Sequence, residues 1–308
     1  SSKRASTIQS PGGTGGLRVG GDLIKQFKPN SKIWVSSPTW ANHKGIFTAC
    51  GFDINEYPYY NSETKEVNFE EMISALNNVP EGDVVLLHVC CHNPTGVDLN
   101  DEQWKSVIES AVKNKWIPFL DFAYQGFGDG VNEDRACLEK FAESGIDFLV
   151  ASSFSKNLAL YNERVGALTV VSPSKKEASV AMSHVKKIIR VNYSNPPAHG
   201  GLVAKIVLGD KSLRELWINE LAIMRNRIKD MRNAFVNGLK ERGVNRDFSY
   251  IINQRGMFSF SGLSNDHVEN LKENKSIYIV KGGRINVAGL TSSNIDYVCE
   301  SISEILNS

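Results

Sequence analysis

Short apolar runs and longer amphipathic segments take turns along the first two thirds of the chain, and no other feature limits its possible folds so tightly. "KIWVSS", "FDINEYPYY", "DVVLLHVCC", "WIPFLDFAY", "IDFLVASSF" and "VGALTVVS" have the length and composition of buried strands. Between them lie segments such as "NDEQWKSVIESAVKNK", where Trp104, Val107, Ile108 and Val112 fall at helical spacing and Asn100 can cap the first turn. Strands alternating with helices of this size predict an α/β fold, a mostly parallel sheet sandwiched by helices. From about Leu213 the pattern changes. "RELWINELAIMRNRIKDMRNAFVNGLKERG" reads as one long amphipathic helix, followed by short strands at "YIINQ", "MFSFSG", "IYIV" and "RINVAG" and a closing helix at "NIDYVCESISEILNS". A large domain over 1–225 and part of a smaller α+β domain over 226–308 are therefore expected.

Composition narrows the partners. A net charge of +1 over 308 residues gives no basic surplus for nucleic acid or an acidic membrane. No run of 18 apolar residues and no signal-peptide pattern occurs. The five cysteines are odd in number, and the adjacent Cys90 and Cys91 have neither disulfide nor metal-ligand spacing. Reduced thiols in the cytoplasm, and no metal centre, are the expectation.

In an open α/β sheet, ligands bind beyond the carboxyl ends of the strands. One such end carries "FSKN". Lysines are usually solvated, but Lys156 lies between two segments that read as buried strands. Lost hydration there favours the neutral amine, a nucleophile toward a carbonyl. The turn in "PGGTGGLRVGGDLI" opens a helix and suits a phosphate. It lacks the Lys-Ser/Thr of a P-loop and follows no clear strand, so by itself it reads more readily as a plain turn. Asn93 in "HNPTG" precedes a proline and is kept out of helix, although turn chemistry alone accounts for it. Asp121 in "FLDFAYQGF" puts a carboxylate at the mouth of a buried strand, three residues before Tyr124; it needs a cation there, or serves only as a helix cap. Taken together, these ends fit pyridoxal phosphate. Its aldehyde suits Lys156, its ring nitrogen Asp121, and its phenolic oxygen Asn93 and Tyr124. Its phosphate suits the glycine turn, Ser153, Ser155 or Arg164, and Trp40 is placed to stack on the ring.

At these residues the chain resembles the aspartate aminotransferase family, in order and spacing, across nearly its whole length. The resemblance rests on "PGGTGGLRVGGDLI", "PTWANH", "CCHNPTG", "DFAYQGF", "SFSKN", "YNERVGA", "NYSNPPAHG", "GMFSFSGL" and "GRINVAGL". It implies a large cofactor-binding domain, with Lys156 bonded to pyridoxal 5'-phosphate and Asp121, Tyr124, Asn93 and Trp40 around its ring. Arg164 would be a phosphate ligand beside Gly13, Thr14, Ser153 and Ser155, and His43 would stand behind Asp121. Arg284 would bind the substrate α-carboxylate, with Trp40 and Asn93 also lining the substrate site. Arg190 would bind the distal carboxylate, reaching in from the neighbouring subunit of a homodimer. The implied activity is ping-pong transamination between small amino acids and 2-oxo acids: aspartate and glutamate with 2-oxoglutarate and oxaloacetate.

Two departures qualify the resemblance. Members of the family begin earlier, with a segment that carries part of the small domain, a dimer-contacting arm and a tyrosine for the partner's cofactor phosphate, so that segment is expected to precede Ser1. Leu158 and Ala159 follow Asn157 where the family has Phe-Gly, which reads as packing variation. Two rival readings stand beside this one: an aromatic-amino-acid aminotransferase, which shares nearly all the motifs, and a truncated, inactive chain acting as a binding module.

Overall fold

The computed structural model describes residues 4–307. Along the chain run β1 (Ala5–Pro11), α1 (Gly12–Phe27), β2 (Ile33–Ser37), α2 (Asn42–Ala49), β3 (Ile54–Pro58), α3 (Phe69–Leu76), β4 (Val84–His88), α4 (Asp101–Asn114), β5 (Ile117–Phe122), α5 (Ala136–Glu143), β6 (Phe148–Ser153) and β7 (Val165–Val171). The remainder is α6 (Lys175–Asn192), α7 (Ala198–Gly209), α8 (Lys211–Glu241), α9 (Tyr250–Asn253), β8 (Phe258–Phe260), α10 (Asn265–Lys275), β9 (Arg284–Asn286) and α11 (Ile295–Asn307).

A seven-stranded sheet has the order β1-β7-β6-β5-β4-β2-β3. Strands β2 to β6 pair in parallel, whereas β7 runs antiparallel to both of its neighbours. Side chains alternate between the faces. Val84 and Leu86 of β4 pack with Leu17 of α1, Phe47 of α2 and Val185 of α6; Val85 and Leu87 pack with Met72 of α3, Val107 of α4 and Phe141 of α5. Both faces are covered, so these strands read as unbroken apolar runs rather than alternating ones. Each such side chain, fully buried, contributes roughly 1.5–3 kcal/mol. Helix α1 lies close on the sheet because Gly20 has no side chain, since a Cβ there would sit 2.4 Å from Phe119 Cζ.

The α/β sandwich matches the expectation, as do the capping box of Asn100 with Gln103 on α4 and the long helix α8. Trp217 at the start of α8 donates from Nε1 to the Asn157 carbonyl at 2.6 Å. Phe235 near its end meets Phe248 edge-on, and its carbonyl accepts from Cys299 Sγ. This one helix therefore packs on the loops after β5 and β6 at one end and on the C-terminal elements at the other, where β8 and β9 form a two-stranded antiparallel sheet.

Four local readings change. A strand does precede the glycine turn: β1, antiparallel to β7 at the sheet edge. Its sequence, "ASTIQSP", is mostly polar because an edge strand keeps one flank and part of one face in water. "YIINQ" is a single helical turn, α9, that buries Ile251. "IYIV" contributes only the isolated bridge between Val280 and Arg284. Val112 is 46% exposed, at the outer edge of the apolar stripe of α4.

Candidate active site

Parallel pairing brings the carboxyl ends of β2, β4, β5 and β6 to one side of the sheet, where they meet the amino end of α1 and the β8–β9 pair. A cleft of about 350 Å³ opens there. Gly13, Thr14, Trp40, Asn93, Asp121, Tyr124, Ser153, Ser155, Lys156, Arg164 and Arg284 all line it. Of the expected site residues only His43 and Arg190 do not.

Register puts Asp121 at the centre, opposite His88 on β4 and Ala151 on β6. The carboxylate is 6% exposed and pairs with His43 Nε2 at 3.0 Å, while His43 Nδ1 meets Thr39 Oγ1 at 2.8 Å. Burial acts to raise the Asp121 pKa, but the hydrogen bond from His43 and the positive potential of His43, His88 and Lys156 hold it below the usual carboxylate value. His43 is thus where it was expected, directly behind Asp121. Trp40 lies edge-on to the His43 ring, 5.2 Å between centroids.

Lys156 follows β6 in a tight turn, where its carbonyl accepts from Ala159 N at 3.2 Å. Its Nζ lies 4.7 Å from the Tyr124 ring centroid. Burial lowers its pKa, Asp121 opposes the shift and Arg164 adds to it. The amine is therefore neutral more often than a surface lysine's, which nucleophilic attack requires.

One end of the cleft is built from the amino end of α1 and the loop after β6. Ser153 Oγ and Ser155 Oγ lie 3.1 Å apart, and Arg164 Nη1 donates to Ser155 Oγ at 3.4 Å. The Arg164 guanidinium packs onto Gly12, where φ is +69° and a Cβ would lie 2.5 Å from Nη2. The positive φ favours glycine there, and the missing Cβ leaves room for the guanidinium. At the opposite wall Arg284 donates from Nη1 to Asn93 Oδ1 at 3.3 Å and lies over the Phe258 ring at 4.6 Å. Asn93 Nδ2 in turn donates to Tyr124 Oη at 3.4 Å. Burial, with Asp121 adding to it, raises the Tyr124 pKa.

Arg190 lies elsewhere. It is exposed in the last turn of α6 and donates to Ser194 Oγ. The structure also brings in residues that strand-end reasoning passed over: Leu17, Ala123, Tyr161, Met257, Phe258 and His88 complete the lining. His88 had a usable signal, since it ends β4 in register with Asp121. Neither of its ring nitrogens has a hydrogen-bond partner among the described residues, and burial, with His43 adding to it, pushes its pKa down to about 3. Ligand atoms of His43, His88 and Asp121 lie within 4.8 Å of one another. The sequence did not foresee that grouping, although the His43–Asp121 hydrogen bond already engages two of the three.

The cleft thus offers an anion cradle at one end, a carboxylate backed by histidine in the middle, a partly dehydrated amine beside it, and a guanidinium at the far wall with no carboxylate partner among the described residues. Comparison with known proteins agrees with this chemistry. The family model for aminotransferase class I and II matches residues 1–302. The chain is 52% identical to an aspartate aminotransferase of Haemophilus influenzae, over 99% of this chain and 77% of that protein. It is 49% identical to an aspartate aminotransferase of Escherichia coli, with the same coverage. Among solved structures, an aromatic-amino-acid aminotransferase from Burkholderia pseudomallei, covalently bound to pyridoxal phosphate, superposes with a TM-score of 0.97 at 48% identity, over 98% of this chain and 76% of that one. The chain belongs to the class I and II aminotransferase family.

Proposed function

We propose that the protein is a pyridoxal-phosphate-dependent aspartate aminotransferase, exchanging amino groups between aspartate or glutamate and their 2-oxo acids. The observation that carries this reading is the placement of Lys156 between the Arg164–Ser155 cradle and the Asp121–His43 pair, facing Arg284 across one cleft. The donor set fits the cofactor. Gly13, Thr14, Ser153, Ser155 and Arg164 would hold its phosphate, Asp121 its protonated ring nitrogen, and Asn93 and Tyr124 its phenolic oxygen, with Trp40 on the ring. When bound, the cofactor supplies an aldehyde that bonds to amines and a protonated ring that takes up electron density from the substrate α-carbon.

The chain's own groups do the rest. Arg284 binds the α-carboxylate as a two-pronged donor. Asp121, backed by His43, would keep a proton on the cofactor's ring nitrogen. Lys156 Nζ would take the proton from the substrate α-carbon and return it two bonds away, at the carbon that the cofactor's aldehyde supplies, a general acid–base role suited to an amine of lowered pKa. Release of the first 2-oxo acid before entry of the second makes the kinetics ping-pong.

Arg190 serves the distal carboxylate from the neighbouring subunit of a homodimer. This is supported by its exposure outside its own cleft and by the exposed Leu202 and Ile206 on α7 and Leu216 and Ile223 on α8. We place the boundary between a cofactor-binding large domain and the smaller C-terminal part near residue 225, within α8. The free cysteines suit a cytoplasmic setting, and among the described residues no helix is long and apolar enough to cross a membrane.

The test is direct. Pyridoxal phosphate should give the protein an absorption band near the visible edge, and borohydride reduction should fix the label on the peptide containing "FSKN". A label on another lysine would remove Lys156 from the role. Higher kcat/KM for phenylalanine or tyrosine than for aspartate would make the enzyme an aromatic aminotransferase, a reading favoured by the Leu17, Met257 and Phe258 walls of the cleft.

A further inference from the structure

Asn93 occupies a central place in the cleft, with one end of its amide on Tyr124 and the other on Arg284. What holds it there lies outside the cleft. The turn after β4 includes Cys91, a non-glycine residue with φ of +53°. Left-handed backbone costs an ordinary residue about 1–2 kcal/mol, so something must stabilise it. Asp98 does: its Oδ2 accepts from Cys91 N at 2.7 Å and its Oδ1 from His92 N at 2.8 Å. Two successive N–H groups converging on one anion form a nest, a geometry that left-handed backbone makes possible. Asn93 is the next residue.

We propose that Asp98 is a positioning residue for the reaction, its carboxylate fastening the turn that presents Asn93 and so setting the hydrogen bonds of Asn93 with Tyr124, Arg284 and the cofactor. The inference rests on the cofactor reading given above. Among the described residues the two N–H groups are the donors to this carboxylate. Both of its oxygens accept an N–H, which favours the anion; burial acts the other way and pushes its pKa up to about 6, with the two N–H groups and Arg255 opposing the shift. The turn has an independent anchor. His92 is bonded at Nδ1 by Thr95 Oγ1 and at Nε2 by Ser36 Oγ, both at 2.9 Å, and its ring stacks on Tyr59 at 3.9 Å. Losing Asp98 should therefore loosen the turn without unravelling it.

Asp98→Asn keeps the shape but turns one acceptor into a donor facing an N–H. With Asn93 displaced, the phenolic oxygen loses a donor and holds its proton more tightly. The pH midpoint of the bound cofactor's visible absorption should then rise by about half to one pH unit, the size of one ordinary hydrogen bond. Asn93→Ala should shift it the same way, and adding Asp98→Asn to Asn93→Ala should shift it no further. Asp98→Glu, which retains an anion for the nest, should recover more than half of the change and also covers the case in which Asp98→Asn does not fold. Additive shifts in the double variant, or an unmoved midpoint in Asp98→Asn while Asn93→Ala moves, would overturn the proposal. A wild-type protein that binds no pyridoxal phosphate would overturn the cofactor reading itself, and this inference with it.

Discussion

Arg284 offers the sharpest quantitative test of the proposed chemistry. Its guanidinium faces the cleft with a neutral amide at 3.3 Å and an aromatic ring beneath it, and no carboxylate of the described residues pairs with it. A substrate α-carboxylate would complete that pairing with two parallel N–H···O bonds. Replacement by leucine removes the charge and both donors, leaving the bound carboxylate uncompensated in a partly dehydrated site. Such a loss costs about 3–5 kcal/mol, or roughly 150-fold to 5,000-fold in kcat/KM. Arg284→Lys keeps the charge but loses the fork; one charge-assisted bond of about 1.5–3 kcal/mol corresponds to about tenfold to 150-fold. Steady-state rates with aspartate, beside an amine that lacks the α-carboxylate, separate carboxylate binding from damage to the cofactor site. The visible band should be present in both variants. A loss below tenfold in Arg284→Leu, or an equal loss with the amine, would refute the assignment.

Three further outcomes follow from the same geometry. Asp121→Asn removes the anion held by His43 at 3.0 Å; turnover should fall roughly a hundredfold to a few thousandfold with substrate affinity much less affected, and unchanged turnover would rule out the role at the ring nitrogen. Arg190→Asp should lower kcat/KM for aspartate and glutamate by an amount equivalent to about 2–5 kcal/mol yet spare alanine, and equal losses would point to a damaged fold instead. Ala159, in the turn after Lys156, has φ of +54°. Ala159→Gly relieves left-handed strain of about 1–2 kcal/mol against a glycine entropy cost of about 0.5–1 kcal/mol, so thermal unfolding should show a small net stabilisation, and a lowered melting temperature would show that the turn is not strained.

The residues that proved hardest to read share a cause. "ASTIQSP" hid β1 because an edge strand needs no apolar face, and "YIINQ" has strand-like composition although its backbone closes a helical turn around Ile251. His88 looked like one more residue in an apolar run, and nothing in the sequence singled out Asp98, because their partners come from other segments or from backbone N–H groups that carry no side-chain signature. Arg190 was legible only through the family motif, which implied service to a neighbouring subunit, and it does not line its own cleft.

By itself the sequence determined the strands of the sandwich, the capped helix α4 and the long α8, because burial on two faces, helical spacing and capping are properties of contiguous residues. It also named most of the cleft, since a lysine, a carboxylate and an amide at strand ends stand out chemically against apolar runs. Only the tertiary structure decided that Asn93 and Arg284, 191 positions apart, touch, and that His43 Nε2 meets the Asp121 carboxylate, 78 positions away, at 3.0 Å. Those contacts depend on strand order and on the closure of the β8–β9 pair over the sheet, and both are set by packing between elements distant in sequence, which no local stretch of residues encodes.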